Sequence, residues 1–550
     1  MFVKVVNMVP HSLSGEDNMD SEPSIAVNPA NPLQIAASAF TPDPMLSGSG
    51  PIYVSTDGGD TWKLNVILPG GNLTNDITLR FASHSNILYA GILRAFTLDL
   101  NVLRKINFTS PGLMTLLVNK TDDDQPYIET TTHGGTDRVY TGDNDFNATP
   151  QSATVDVSLN PVPPPPANFA FAHIEPRGTL GQDGPSIRPA IHHSGTIYAA
   201  YFGWRSFGVG TVTSDVVVAR DDNWAAGPGR FQNLLDSGDS LPGVRIVTGV
   251  SIPSLGTLLG HQRIGSSLSL AVDPRHSRIV YVAWADGNSA ADYTIHVRRS
   301  TDSGATWSAD LRSVVQATNP QLAINSHGDV GFLYQKLHNP GSGNRWQTHL
   351  EISDADRAFS SFKDIILADI PDDNGTGPTL NPTNPLGDYA GLVAVERTFY
   401  GVFCGNNTPD LSNFPHGVIY HRNHNFTTHQ LFDLTGTAVI ASYDPFFFKV
   451  GPHHEDEREE SHGLEYARLE VEGLKYEKLE IKALRLDLVD PRREHGEDRH
   501  EHHGHHEHDH KRELHHEKRH LGAIRRLGEE IEQLGRHLAS ASGDEHDDEH

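Results

Sequence analysis

Residues 1–450 predict an all-β fold, a β-propeller of seven blades with six as the alternative count, and three observations point there. One sequence pattern returns seven times, turn clusters punctuate short runs rich in Val, Ile, Tyr and Ala, and helical periodicity is nearly absent before residue 510. At 550 residues the chain is too long for one ordinary core, and its 50 glycines and 34 prolines suit a repeat made of short strands and tight turns.

The repeat is a polar residue, often followed by proline, then an alternating apolar strand, a turn, and a second strand. Its copies begin at Glu22-Pro23-Ser24, Asp76-Ile77-Thr78, Gln125-Pro126-Tyr127, Gly184-Pro185-Ser186, Ser267-Leu268-Ser269, Asn319-Pro320-Gln321 and Asp388-Tyr389-Ala390. Clear second strands follow at Ile197-Tyr198-Ala199-Ala200, Val280-Tyr281-Val282-Ala283 and Val330-Gly331-Phe332-Leu333-Tyr334. Spacings of 54, 49, 59, 83, 52 and 69 residues match a four-stranded unit of roughly 40 to 50 residues plus insertions. The insertions are Pro161 to Pro166, the stretch around Ser237 to Ser254, and Asp372 to Pro385. One unit cannot bury both faces of its sheet, so the units must stack around an axis and the ring must close; Phe2 to Asn7 is placed to pair with the last unit.

Composition changes near Gly451. Residues 451–550 carry 28 Asp and Glu, 16 Lys and Arg and 17 of the 33 histidines, too polar for a core. Within this appended tail, residues 451–490 hold a five-residue period, Leu469-x-Val471, Leu474-x-Tyr476, Leu479-x-Ile481 and Leu484-x-Leu486, which fits a small β-solenoid or irregular strands. Residues 491–520 form a His-rich linker. Residues 521–541 place Ile524, Leu527, Ile531, Leu534 and Leu538 on one seam of a terminal amphipathic helix, a short coiled coil through which copies could associate. His502, His503, His505, His506, His508 and His510 could bind Zn2+ or Ni2+ through neutral imidazoles; a solvated, pH-sensitive tract is the plainer account.

The net charge of −27 argues against nucleic acid, whose phosphates need clustered Lys and Arg. No run reaches the 18 apolar residues of a membrane helix, and Met1 to Val6 lacks the features of a classical secretory leader. A single cysteine, Cys404, excludes an internal disulfide framework.

Ser55-Thr56-Asp57-Gly58-Gly59-Asp60-Thr61-Trp62 and Ser300-Thr301-Asp302-Ser303-Gly304-Ala305-Thr306-Trp307 both read Ser-x-Asp-x-Gly-x-Thr-Trp, with worn copies at Arg220 to Trp224 and Ser353 to Phe359. In such a hairpin the Asp carboxylate accepts backbone N–H groups, glycine takes the left-handed position, and Trp packs into the sheet edge. On these residues the chain resembles the Asp-box (bacterial neuraminidase repeat) superfamily of sialidase-like β-propellers over residues 20 to 450. The resemblance implies that Ser55, Asp57, Gly59, Trp62, Ser300, Asp302, Gly304 and Trp307 are structural, that the ligand is a glycan, that an exo-α-sialidase-like hydrolase is one outcome, and that the protein is extracellular. The Arg-Ile-Pro of sialidases is absent, and those enzymes are generally six-bladed, so the arginine cluster does not transfer.

Candidate site residues come from where the repeats disagree. One aligned column reads Ala26, Arg80, Glu129, Arg188, Ala271, Ala323 and Leu392. Charges beside a channel must be paired or used, so Arg80, Glu129 and Arg188 form either an ion network plugging the channel or an anion-binding pocket. A second column, at the strand starts, supplies Glu22, Asp76, Asp124, Asp183 and Asp388 at one mouth. That ring could hold Ca2+, or provide the paired acids of glycoside hydrolysis, or simply form turns. Asp388 and Tyr389 are the catalytic candidates. Two functions follow: a glycan-binding propeller, with or without hydrolysis, or a non-catalytic protein-binding scaffold oligomerised or tethered by its tail.

Overall fold

A computed structural model of the chain describes residues 1–40, 51–66, 74–94, 97–148, 153–164, 168–179, 187–208, 211–253, 268–289, 292–341, 343–354, 358–372 and 386–452. The expectations for the five-residue period, the His-rich linker with His502 to His510, and the terminal helix lie outside these residues, as does Asp183.

The chain is all-β. Among the described residues, six antiparallel sheets of four strands and one mixed sheet of five follow one another along the sequence. Their innermost strands are Ser21–Val27, Thr74–Phe81, Asp123–His133, Arg188–Ile191, Leu268–Val272, Ala317–Ile324 and Gly391–Val395. Each inner strand contacts the next in this order, and the last contacts the first, so the sheets close a ring as in a β-propeller. In the last sheet Phe2–Asn7 pairs antiparallel with Tyr443–Gly451, from Phe2 against Gly451 to Asn7 against Phe446, so the two ends of the ring are joined by backbone hydrogen bonds. A small sheet of His424–Asn425, Gln430–Phe432 and Ala438–Val439 is inserted in this last unit.

Second strands sit between two neighbouring sheets and are apolar on both faces. Thr398–Asn406 is buried along its whole length and Leu88–Arg94 along all but its final residue. All but the first, Ile35–Phe40, carry a tyrosine, and in three of the sheets its hydroxyl reaches forward. Tyr89 donates to Asp137 (2.8 Å), Tyr140 to the Trp224 carbonyl (3.0 Å) and Tyr198 to the Ser277 carbonyl (2.7 Å). Inner strands are tied likewise: the Ser24, Thr78 and Ser269 hydroxyls accept N–H groups of Leu79, Ile128 and Leu322 in the following sheet. Each such bond contributes about 1 kcal/mol, and together they fix how one sheet meets the next. Gly142 lies where a Cβ would collide with the Ile187 carbonyl, so only glycine lets the third and fourth sheets approach there.

Four inner strands bulge at their first residues, between Ser21 and Ser24, Thr74 and Ile77, Asp124 and Tyr127, and Thr318 and Gln321. In three of them the residue before proline has positive φ: Glu22 (51°), Gln125 (57°) and Asn319 (54°). Non-glycine residues rarely hold this conformation, and its recurrence at the same step of three repeats re-aims side chains at one mouth of the ring.

The two octapeptide turns share one geometry. Ser55 Oγ accepts from Gly59 N (3.0 Å) while Asp57 accepts from Thr61 N (2.9 Å); Ser300 and Asp302 repeat both bonds with Gly304 (2.8 Å) and Thr306 (2.9 Å). Of the worn copies, Asp221 caps the N–H groups of Asn223, Ala225 and Phe231, and Ser353 accepts from Phe359 N. These turns end third strands, which run parallel to the inner strands, so they lie at the end of the ring opposite the bulged mouth.

Candidate functional site at the bulged mouth

The bulged mouth leads to a narrow axial pocket lined by Ile25, Thr78, Arg80, Tyr127, Gln321 and Tyr389, among others, from five of the inner strands or their immediate starts. Arg80 and Glu129 face each other across the second and third sheets. Arg80 Nη2 lies 2.8 Å from Glu129 Oε1, Nε donates to the same oxygen (2.9 Å), Nη2 donates to the Tyr127 hydroxyl (2.8 Å), and Nη1 donates to the carbonyls of Ile25 and Leu79 (3.0 Å each). Burial works against the Arg80 charge, but Glu129 and Tyr127 outweigh it and hold its pKa above the ordinary arginine value.

Arg188 joins this group through Tyr127 and not through Glu129. Its guanidinium carbon lies 4.1 Å from the centre of the Tyr127 ring and 5.7 Å from that of Tyr389, and its Nε donates to the Leu268 carbonyl (3.0 Å). Nη2 is buried and has no hydrogen-bond partner among the described residues, on a residue only 2 % exposed. Burial lowers the Arg188 pKa, opposed by Tyr127 and Tyr389 and assisted by the nearby Arg80 charge. Arg80 is therefore a satisfied cation, whereas Arg188 is a desolvated one with a donor left open.

Tyr389 donates its hydroxyl to Asp76 Oδ1 (2.9 Å). Burial, then the Asp76 and Glu22 carboxylates, push its pKa well above that of free tyrosine, so the resting group is a phenol. The pair has the geometry of a nucleophile and its base. Glu22, Asp76 and Asp388 are each buried at the strand starts, and Asp124 caps the N–H of Gln125 (2.8 Å). Reasoning from aligned columns overlooked Tyr127, although the signal is visible: it stands where Ser24, Thr78 and Ser269 carry hydroxyls that tie inner strands together.

Two further charged clusters are buried near this end. Lys120 Nζ lies 2.7 Å from Asp143, 2.9 Å from Asp123 and 3.3 Å from Asp156. Burial and then the Asp143 charge raise the Asp123 and Asp156 pKa values strongly. Glu16, Asp20 and Asp444 bring one oxygen each within 4.8 Å of one another, all buried. Asp444 there already accepts from Asn7 (2.7 Å), Asn407 (2.7 Å) and Arg422 (3.0 Å), so an arginine supplies the cation of that cluster. Among the described residues, this is the one group of three metal-type ligands with that spacing, and it does not include the strand-start carboxylates from which a Ca2+ site is expected.

No protein-family model matches the chain, and no curated protein matches it in sequence. Solved structures similar to it include the α-L-arabinanase of Penicillium chrysogenum complexed with arabinobiose (13% identity, 80% of this chain and 97% of that one, TM-score 0.38). The GH93 α-L-arabinofuranosidase of Fusarium graminearum is also similar (11%, 81% and 97%, 0.37), as is an ulvan lyase of polysaccharide lyase family 25 (9%, 71% and 92%, 0.43). Likeness at this level says nothing of substrate or chemistry.

Proposed function

We propose that the chain is a seven-bladed, sialidase-like propeller of the Asp-box kind that binds an acidic glycan at its bulged mouth, with Arg188 gripping the sugar carboxylate. The observation that carries this reading is the open Nη2 donor of a buried guanidinium at the axis. A carboxylate there completes the arginine's hydrogen bonding and neutralises its charge, which neither Leu268 nor Tyr127 does. The two Asp-box turns and the closed succession of seven inner strands support the family and the blade count. Tyr389 and Asp76 supply the nucleophile and base of a retaining glycosidase, and the strand-start carboxyls Glu22 and Asp388 supply its acid, so hydrolysis is the natural extension.

A second reading, a protein-binding scaffold tethered by residues 451–550, is favoured by depth: Tyr389 and Asp76 are each only 3 % exposed. An array of sialylated, uronate-bearing and neutral glycans separates the two, followed by a fluorogenic sialoside assay of the wild type and Tyr389→Phe. Capture of acidic glycans alone supports the binding reading, and turnover lost in Tyr389→Phe extends it to catalysis. Silence on every acidic glycan leaves the scaffold.

A further inference from the structure

The two octapeptide turns are the same sequence pattern in the same fold position, yet their tryptophans are used differently. Trp62 is buried edge-to-face on Phe447, ring centres 5.3 Å apart. Gly59 is the residue that makes room for Phe447 beneath the turn. In the other copy Leu234, from the insertion after the third strand of the fourth sheet, takes the place beside Gly304. Trp307 is then only half-buried: its N–H turns back to the Gly304 carbonyl (3.0 Å) and its ring lines an open groove of about 530 Å3. Asp236, Ser237 and Gly238 of the same insertion also line it, with Val244, Ile246 and Thr248 of the strand Val244–Pro253.

The volume falls in the range of small-molecule sites, and the lining joins one aromatic platform to exposed hydroxyls on Ser237 and Thr248. The groove's charges are already spent. Arg245 lies 3.1 Å from Asp236 and 3.2 Å from Asp239, and Asp236, held far below the usual carboxylate range chiefly by Arg245, also caps Gly238 N (2.7 Å). With no open charge, an ionic ligand gains nothing there. A ligand with an apolar face and many hydroxyls meets both parts of the lining.

We propose that this groove, at the end of the ring opposite the axial pocket, is a second binding site that takes a neutral oligosaccharide stacked on Trp307. The site depends on the insertion, which the first sheet lacks, and not on Arg188. The chain would then hold a glycan at both ends, one through charge and the other through stacking.

The test is calorimetric titration of the full chain with cellohexaose, xylohexaose, maltohexaose and α-1,5-arabinohexaose. At least one should bind with Kd near or below about 1 mM, a value ordinary for a weak site. Trp307→Ala should weaken that binding by about tenfold or more, since it removes the platform. Thr248→Trp, at an exposed position, fills the groove without removing a core contact and should do the same, so that misfolding of Trp307→Ala does not decide the matter. Arg188→Met should leave it unchanged. Failure of all four sugars to bind, binding that survives Thr248→Trp, or binding lost with Arg188→Met would overturn the proposal; the last would move the neutral sugar to the axial pocket.

Discussion

Replacing each of the two axial arginines by methionine should separate a structural cation from one held for a ligand. Arg80 makes five polar contacts: two to Glu129 and one each to Tyr127, Ile25 and Leu79. Arg80→Met strands the half-buried Glu129 carboxylate and two carbonyls, and breaking such a pair from one side removes about 3 kcal/mol of stability. Among the described residues Arg188 makes one hydrogen bond, about 1 kcal/mol, and one close cation–π contact of similar size. Against these stand the desolvation of an incompletely paired guanidinium and its open donor, about 1–3 kcal/mol. Arg188→Met should therefore fall within about 1 kcal/mol of wild type, or gain stability, as methionine fills much of the same volume. Urea unfolding of the three proteins, followed by tryptophan fluorescence, checks this. Equal losses for both variants would refute the claim that Arg188 is kept at the expense of stability.

Three other outcomes follow from the same contacts. Tyr389 is held as a phenol by burial and by Asp76, so its folded pKa exceeds the unfolded value of 10.0. Protons are then retained in the folded state and lost in the unfolded one above that pH, stability declines as pH rises past about 10, and Tyr389→Phe should flatten the decline in an alkaline unfolding series. Asp302→Ala removes the acceptor of Thr306 N and of the Ser300 hydroxyl (2.8 Å) and should lower stability by about 1 kcal/mol while leaving the binding of acidic glycans at the bulged mouth intact, measured by thermal melting and calorimetry. Deleting residues 1–7 removes the strand between Tyr443–Gly451 and Ile419–Tyr420, and hydrogen exchange should then show early opening confined at first to the last sheet.

Arg80, Glu129 and Arg188 could be singled out in the sequence because a ring of repeats turns alignment columns into neighbours around an axis, so a charge where other copies carry alanine or leucine is conspicuous. The way Arg188 docks on Tyr127 was less legible, since it depends on which side of a bulged strand each residue faces, and one residue of bulge reverses that. The Lys120 cluster could not be read at all from a linear pattern. Asp123, Asp143 and Asp156 lie on three strands of the third sheet, while Lys120 ends the second sheet. They meet only through cross-strand register and sheet stacking. The same holds for the groove beside Trp307: its octapeptide follows the same pattern as the one around Trp62, and the difference in burial arises from an insertion some 70 residues earlier in the chain.

The central claim is that the open donor of Arg188 meets a ligand carboxylate. It is tested most directly by titrating wild type and Arg188→Met with one acidic oligosaccharide selected on the array and with the same sugar after reduction of its carboxyl to an alcohol. A charge-assisted hydrogen bond contributes about 1.5–3 kcal/mol, so reduction should weaken binding to wild type by roughly 10- to 100-fold and leave binding to Arg188→Met almost unaltered. A loss of equal size in both proteins would place the carboxylate elsewhere and contradict the account.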